Sequence, residues 1–292
     1  MKATITLSVL IAGIVFVATL LGMNFGEHLR LEKEKAAATT LPVVTTTQPP
    51  TVTVPPTEAK KPPNAIVPEE FIIFTEEENT GTPVGSTTQK PDLSNSVFIG
   101  DSVSLGFSRY CAKNSLMQDT VFLTAGSYSV HHALDSRTAE DKGFDHPMYK
   151  GKQLPVLEAI KEIKPSNVYI CLGINDISGF GVEGTVKNYC KLINSIWAID
   201  PNIHVYVVST TFMLADAQKT NLNNLNLANL NHNMKAVCEN SENLDYIDVM
   251  SELQDENYAL AGQYCSDGFI HQGINAYAIW AEKLGAKQEE LS

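Results

Sequence analysis

Positive charge is scarce in this chain. Its 292 residues hold 21 Lys and Arg against 33 Asp and Glu, a formal net charge of −12. Nucleic-acid binding draws on Lys and Arg that displace counterions from phosphates. No basic stripe is present, because Lys33, Lys35, Lys60 and Lys61 are scattered among glutamates or sit beside prolines. A nucleic-acid partner is therefore not expected. Cysteine is sparse as well: Cys111, Cys171, Cys190, Cys238 and Cys265 are the five, and no two form a CxxC pair. That spacing argues against a zinc knuckle or a dithiol redox motif. The odd count leaves at least one thiol unpaired in a monomer. Cys171 and Cys238 fall in apolar stretches and read as small core residues, while one disulfide elsewhere stays open in an oxidising compartment. HExxH and comparable metal-ligand spacings are absent, and there is no internal repeat.

The longest apolar run is at the amino end, roughly Ala3 to Phe25, interrupted only by Thr, Ser, Gly and one Asn. About 20 apolar residues suffice to cross a bilayer as a helix. Lys2 and the amino terminus give the positive flank. A cleaved signal peptide competes with a retained anchor. The run is long for a signal h-region, no small-x-small site follows Leu21, and no lipobox cysteine closes it. Arg30, Lys33 and Lys35 also flank the far end, which bears on orientation. Residues 1–25 are thus read as a transmembrane signal anchor.

Residues 26–92 are read as a stalk. A charged stretch from Glu27 to Lys35 leads into a Thr/Pro-rich segment from Thr39 to about Pro68, with paired prolines at 49–50, 55–56 and 62–63. Such a composition buries too little apolar surface to fold, and proline stiffens it into an extended spacer. The short apolar run Phe71-Ile72-Ile73-Phe74 is open between adding a strand and docking on the following domain.

From residue 93 to 292 apolar strand-like runs alternate with helical patterns. Strands are expected at Val97–Ile99, Val121–Thr124, Asn167–Leu172, His204–Ser209 and Leu244–Val249. Val186, Tyr189, Cys190, Ile193 and Trp197 mark one helix by their spacing, and Leu227, Leu230, Met234 and Cys238 mark another. A last helix runs from about Ile274 to Lys287, with Tyr277, Ala278, Ala281 and Leu284 on one side. The alternation predicts an α/β fold, a mainly parallel sheet covered by helices on both faces.

In an open parallel sheet, ligands bind beyond the carboxyl ends of the strands. Gly100-Asp101-Ser102 follows the first predicted strand, Ala125-Gly126-Ser127 the second, and Gly173-Ile174-Asn175-Asp176 the third. Asp267, Gly268 and His271 come between the fifth strand and the last helix. Acyl transfer needs a nucleophile, a base and donors for the developing oxyanion. Ser102 on a strand-to-helix turn, His271 late in the chain, the N–H groups of Ser102 and Gly126, and the Asn175 side-chain amide supply these parts. Each also has an ordinary reading. Ser102 would serve as a helix N-cap, Asn175 and Asp176 as turn residues, Gly126 as a turn glycine, His271 as a surface residue. Their joint occurrence, in order and at strand ends, is what those readings leave unexplained.

The ordered set resembles the SGNH/GDSL hydrolase family. Its four blocks correspond to Phe98-Ile99-Gly100-Asp101-Ser102-Val103-Ser104-Leu105-Gly106, to Thr124-Ala125-Gly126-Ser127, to Leu172-Gly173-Ile174-Asn175-Asp176, which matches the family's GxND, and to Ser266-Asp267-Gly268-Phe269-Ile270-His271. The G-x-S-x-G elbow of other α/β hydrolases is missing, because the first block lacks its second glycine. The resemblance covers roughly Leu93 to Lys287. It implies a three-layer α/β/α sandwich with a five-stranded sheet, flavodoxin-like in topology. It also implies Ser102 as nucleophile, His271 as base, Gly126 and Asn175 in the oxyanion hole, and neither a metal nor an organic cofactor. Asp267 would orient His271. The family usually spaces these two as D-x-x-H, whereas here they are four apart, so a backbone carbonyl is the alternative partner of the imidazole. His131 and His132 read as a solvated helix start that could also line the pocket. Tyr128, Phe180 and Phe212 are placed in loops on the active rim, where they could shape it.

The function implied is a serine esterase. An anchored and stalked domain would meet short acyl groups, acetyl above all, on cell-wall or other extracellular carbohydrate, with the membrane as its other partner. A lipase, thioesterase or acyltransferase of the same fold, and a non-catalytic surface module, are the competing readings.

Overall fold

The computed structural model describes residues 63–78, 84–88, 90–138, 140–141 and 143–286. Five short strands form one parallel sheet: β1 (Ser96–Gly100), β2 (Thr120–Thr124), β3 (Asn167–Cys171), β4 (His204–Val208) and β5 (Leu244–Ile247), in the order β2-β1-β3-β4-β5. The expected strands are all there. β1 and β3 are buried along their whole length, as strands covered on both faces must be. Among the described residues six α-helices accompany them: α1 (Ser102–Lys113), α2 (Val130–Leu134), α3 (Val156–Ile163), α4 (Ile177–Ile199), α5 (Asn224–Glu239) and, after the last strand, α6 (Ile274–Lys283). α1 packs with α6, and α4 packs with α2, α3 and α5, so the helices fall into two layers. A two-stranded antiparallel ribbon, Met148–Tyr149 with Lys152–Gln153, lies between α2 and α3.

The apolar stripes read from the sequence lie in the core. Val186, Tyr189, Cys190, Ile193 and Trp197 on α4, and Leu227, Leu230, Met234 and Cys238 on α5, are all buried. On α6 the buried face is Ala276, Tyr277, Trp280 and Ala281, continuing to Leu284. Ala278, expected on that side, faces solvent instead. All five cysteines are free thiols, four of them buried and Cys265 partly so.

The predicted stalk over 26–92 extends too far toward the carboxyl end. Its described part, from residue 63 on, is a strap laid against the domain. Asn233 on α5 accepts the Ile72 N–H at 2.9 Å and donates to the Ile72 carbonyl at 2.7 Å. Asn229 does the same for Phe74, at 2.8 and 3.2 Å. Two residues of extended chain advance about 6.6 Å and four residues of helix about 6 Å. Asparagines four apart therefore match the alternate residues of the strap. The chain then turns onto the outer edge of β5. There the Thr87 N–H bonds the Tyr246 carbonyl at 2.8 Å, and Gly85 N–H bonds Asp248. An uncovered edge strand invites pairing with other chains, and the strap occupies this one. Among the described residues no helix is long and apolar enough to cross a membrane. The anchor expected over 1–25 and the earlier part of the stalk lie outside the described residues.

Candidate active site

The strand order reverses between β1 and β3, and their carboxyl ends open the crevice where such sheets bind ligands. Ser102 enters this crevice as the first residue of α1. Asp101, not Ser102, is the N-cap: its buried side chain accepts the N–H groups of Val103 and Ser104 at 2.9 and 3.4 Å. The serine hydroxyl is thereby left free for other work. Its backbone N–H, at the start of a helix, has no intrahelical acceptor. Gly100 is needed because α1 folds tightly back on β1. A Cβ there would stand 2.2 Å from both Cβ and Oγ of Ser104.

His271 Nε2 lies 3.0 Å from Ser102 Oγ, and His271 Nδ1 lies 2.5 Å from Asp267 Oδ2. A carboxylate can only accept, so Nδ1 carries the proton and Nε2 is the acceptor facing the serine hydroxyl. The four-residue spacing is absorbed by a turn wound around the carboxylate. Asp267 Oδ1 accepts the N–H groups of Phe269, Ile270 and His271 at 2.9, 3.0 and 3.1 Å. Gly268, at φ +73°, makes the turn. Asp267, not a backbone carbonyl, is thus the group that holds the imidazole. Partial burial works to raise the Asp267 pKa, but the bond from His271 and the three N–H groups outweigh it and hold the carboxyl well below its ordinary range.

Gly126 and Asn175 reach the same edge from β2 and β3. Ala125 N–H still bonds back to the Gly100 carbonyl, at 3.2 Å. Beyond it the chain leaves the sheet at Gly126, which is exposed. The Asn175 amide donates one N–H to the Tyr128 carbonyl at 3.0 Å, which leaves its second N–H available. The next residue, Asp176, is fully buried and accepts the N–H groups of Val130 and His131 at 2.9 and 3.1 Å. It caps α2 from across the edge and locks the Gly126 loop to the Asn175 loop. Burial pushes both Asp101 and Asp176 up to about 6. Their positions were legible in the sequence, but not these roles, because the partners are backbone groups.

The flanking residues divide. Tyr128 and Phe212 are buried, so they do not offer rings to the rim as expected. Tyr128 Oη instead bonds His146 Nδ1 at 2.9 Å, and His146 Nε2 bonds the Arg137 carbonyl at 2.9 Å. Since a carbonyl must accept, Nε2 carries a proton, and both ring nitrogens of His146 are partnered. Phe180 does face solvent, 44% exposed. His131 is exposed and His132 half-buried, on the short helix α2. Among the described residues no group of acidic, His and Cys side chains is arranged to hold a metal ion.

No curated protein matches the chain. Solved structures similar to it include a GDSL-like lipase from Bacteroides thetaiotaomicron, at 16% identity over 66% of this chain and 86% of that one, TM-score 0.47. The catalytic domain of a Streptococcus pneumoniae peptidoglycan O-acetyltransferase is 13% identical over 66% of this chain and 90% of its own, TM-score 0.45. A carbohydrate esterase from Talaromyces cellulolyticus is 11% identical over 66% and 94%, TM-score 0.46. The family model for GDSL-like lipases and acylhydrolases matches residues 98–279. Because that match takes in well over half of the sequence and all four segments gathered at the sheet edge, the chain belongs to the GDSL-like lipase/acylhydrolase family and is a serine ester hydrolase.

Proposed function

We propose that Ser102, His271 and Asp267 form the catalytic triad of an esterase that removes short acyl groups, acetyl foremost, from extracellular carbohydrate. The observation that carries this reading is the unbroken line from Asp267 Oδ2 through the His271 ring to Ser102 Oγ, at 2.5 and 3.0 Å. His271 Nε2 takes the serine proton as Oγ attacks the ester carbonyl carbon. The N–H groups of Ser102 and Gly126 and the Asn175 amide stabilise the oxyanion. Collapse breaks the bond to the alcohol oxygen, which leaves with the proton from His271. A water then repeats the sequence on the acyl-enzyme, giving the free acid and restoring Ser102.

The openness of the site supports a polymer substrate. The His271 and Asp267 side chains are 43% and 34% exposed, so the reacting groups stand on a rim that a side group of a long glycan can reach. The same reading takes residues 1–25 as a membrane anchor, the following Thr/Pro-rich residues as a spacer, and the hydrolase domain as extracytoplasmic. The full-length chain should release acetate from O-acetylated N-acetylchitotetraose, and Ser102→Ala should lose that activity by about 10⁴-fold or more. Full activity in Ser102→Ala would sink the mechanism. Recovery of the chain in the soluble fraction of lysed cells would sink the anchor.

A further inference from the structure

The ester chemistry leaves one prominent feature of the catalytic edge unused, a row of rings on the Asn175 side. Phe180 stands at its open end. It ends the first turn of α4, and Gly181 follows with φ +63° and ψ −175°, a backbone region essentially reserved for glycine. The helix breaks there, and its buried face resumes only at Val182. Phe180 is thereby held out of the core on a strained turn.

The His131 ring lies 5.1 Å from the Phe180 ring and 5.7 Å from that of Phe144, centroid to centroid. Phe144 in turn lies 3.9 Å from His132, and His132 lies 5.9 Å from Tyr128. The row is rooted in the buried Tyr128–His146 pair and opens to solvent at His131 and Phe180. Its backbone hangs from the bonds that fix Asn175 and its neighbour: Asn175 to the Tyr128 carbonyl, and the His131 N–H to Asp176. The exposed rings therefore begin beside the proposed oxyanion donor.

The chemistry of this surface selects its ligand. It has flat apolar faces, yet imidazole nitrogens sit at their edges, and the nearby Arg137 is already neutralised by Asp135. A pyranose ring has the complementary character, one face of C–H groups and a rim of hydroxyls. An alkyl chain would offer the exposed His131 imidazole no hydrogen-bonding group. We propose that the exposed face of Phe180, edged by His131, is a stacking platform for a sugar ring of the carbohydrate that bears the ester, with Phe144 backing His131 edge-on. This inference rests on the carbohydrate-ester reading above and adds the residues that would select the sugar.

The test compares kcat/KM for O-acetylated N-acetylchitotetraose and for ethyl acetate in the full-length chain. Phe180→Ala should lower the ratio of the two about tenfold, through KM for the oligosaccharide, and Phe180→Trp should restore it. An unchanged ratio overturns the platform. So does a selective loss on ethyl octanoate, which would assign the rings to the acyl chain. Binding is followed separately in Ser102→Ala by titrating unacetylated N-acetylchitotetraose and observing the histidine ring resonances. Shifts at His131 that vanish when Phe180→Ala is added uphold the platform even if the wild-type chain releases no acetate. Absence of such shifts overturns it even if acetate is released.

Discussion

Asp267 holds His271 twice with one carboxylate: Oδ2 meets the imidazole Nδ1, and Oδ1 accepts the backbone N–H of the same histidine. The acid fixes the conformation of the turn as well as the tautomer of the ring.

That double role sets the expected behaviour of Asp267→Asn. An asparagine can keep its oxygen on the backbone N–H groups, but its amide nitrogen then faces Nδ1 and favours the wrong tautomer. Activity on acetyl esters should fall by about 10⁴-fold with little change in folding. Asp267→Ala should lose activity and also lower the melting temperature, since three N–H groups lose their acceptor. Equal melting temperatures for the two variants would refute the double role.

Asn175→Ala removes the proposed oxyanion donor, which also anchors the Tyr128 carbonyl. Its kcat should fall by about 10²–10³-fold while KM changes by much less. Steady-state kinetics decide this, and a loss confined to KM would place Asn175 in ground-state binding instead.

Asp101→Asn probes the buried carboxyl beside Ser102. Burial raises the Asp101 pKa to about 6 in the folded protein, against an ordinary value of 3.8. The proton is thus held more tightly by the folded state. The associated stability is complete below about pH 4 and is lost as pH rises through 6. Asparagine caps a helix about as well as aspartate and does not titrate. Relative to the wild-type chain, Asp101→Asn should melt higher at pH 7.5 than at pH 5. A difference independent of pH would show that Asp101 carries no such strain.

Asn233→Ala should detach the strap at Ile72. It leaves an N–H and a carbonyl without partners, at a cost of about 1–3 kcal/mol. Asn233→Asp keeps the acceptor but sets a buried carboxylate against the Ile72 and Asn229 carbonyls, so its effect at neutral pH should be at least as large. Denaturant unfolding and limited proteolysis around Ile72 measure both. An untouched strap in Asn233→Ala would mean that packing of Phe71 holds it.

The legible parts of this fold and site are those encoded in contiguous residues. The five strands, the stripes on α4 and α5, and the four blocks at strand ends could be read because each is a local pattern. The Asp267–His271 pairing was implied by the family resemblance, but the turn wound around the carboxylate was not legible, since a four-residue spacing says nothing about it. Tyr128 looked like a rim aromatic because it follows the Gly126 block, yet its partner His146 lies in a loop without periodicity. The strap was hidden for a related reason. Asn224, Asn229, Asn231 and Asn233 each hold the backbone N–H and carbonyl of a single residue: Met213, Phe74, Thr210 and Ile72 in turn. The clustered asparagines of α5 were the available signal, and only the apolar residues between them were read.

The strap also decides where a pull on the preceding residues would act. Ala65 is fastened to Asn194 and Ile66 to Ser241, near the end of α4 and just before β5. Both points lie at the amino ends of the strands, the pole away from Ser102. Pulling on the chain before Ala65 would load that pole first and reach the bonds around Ser102 last.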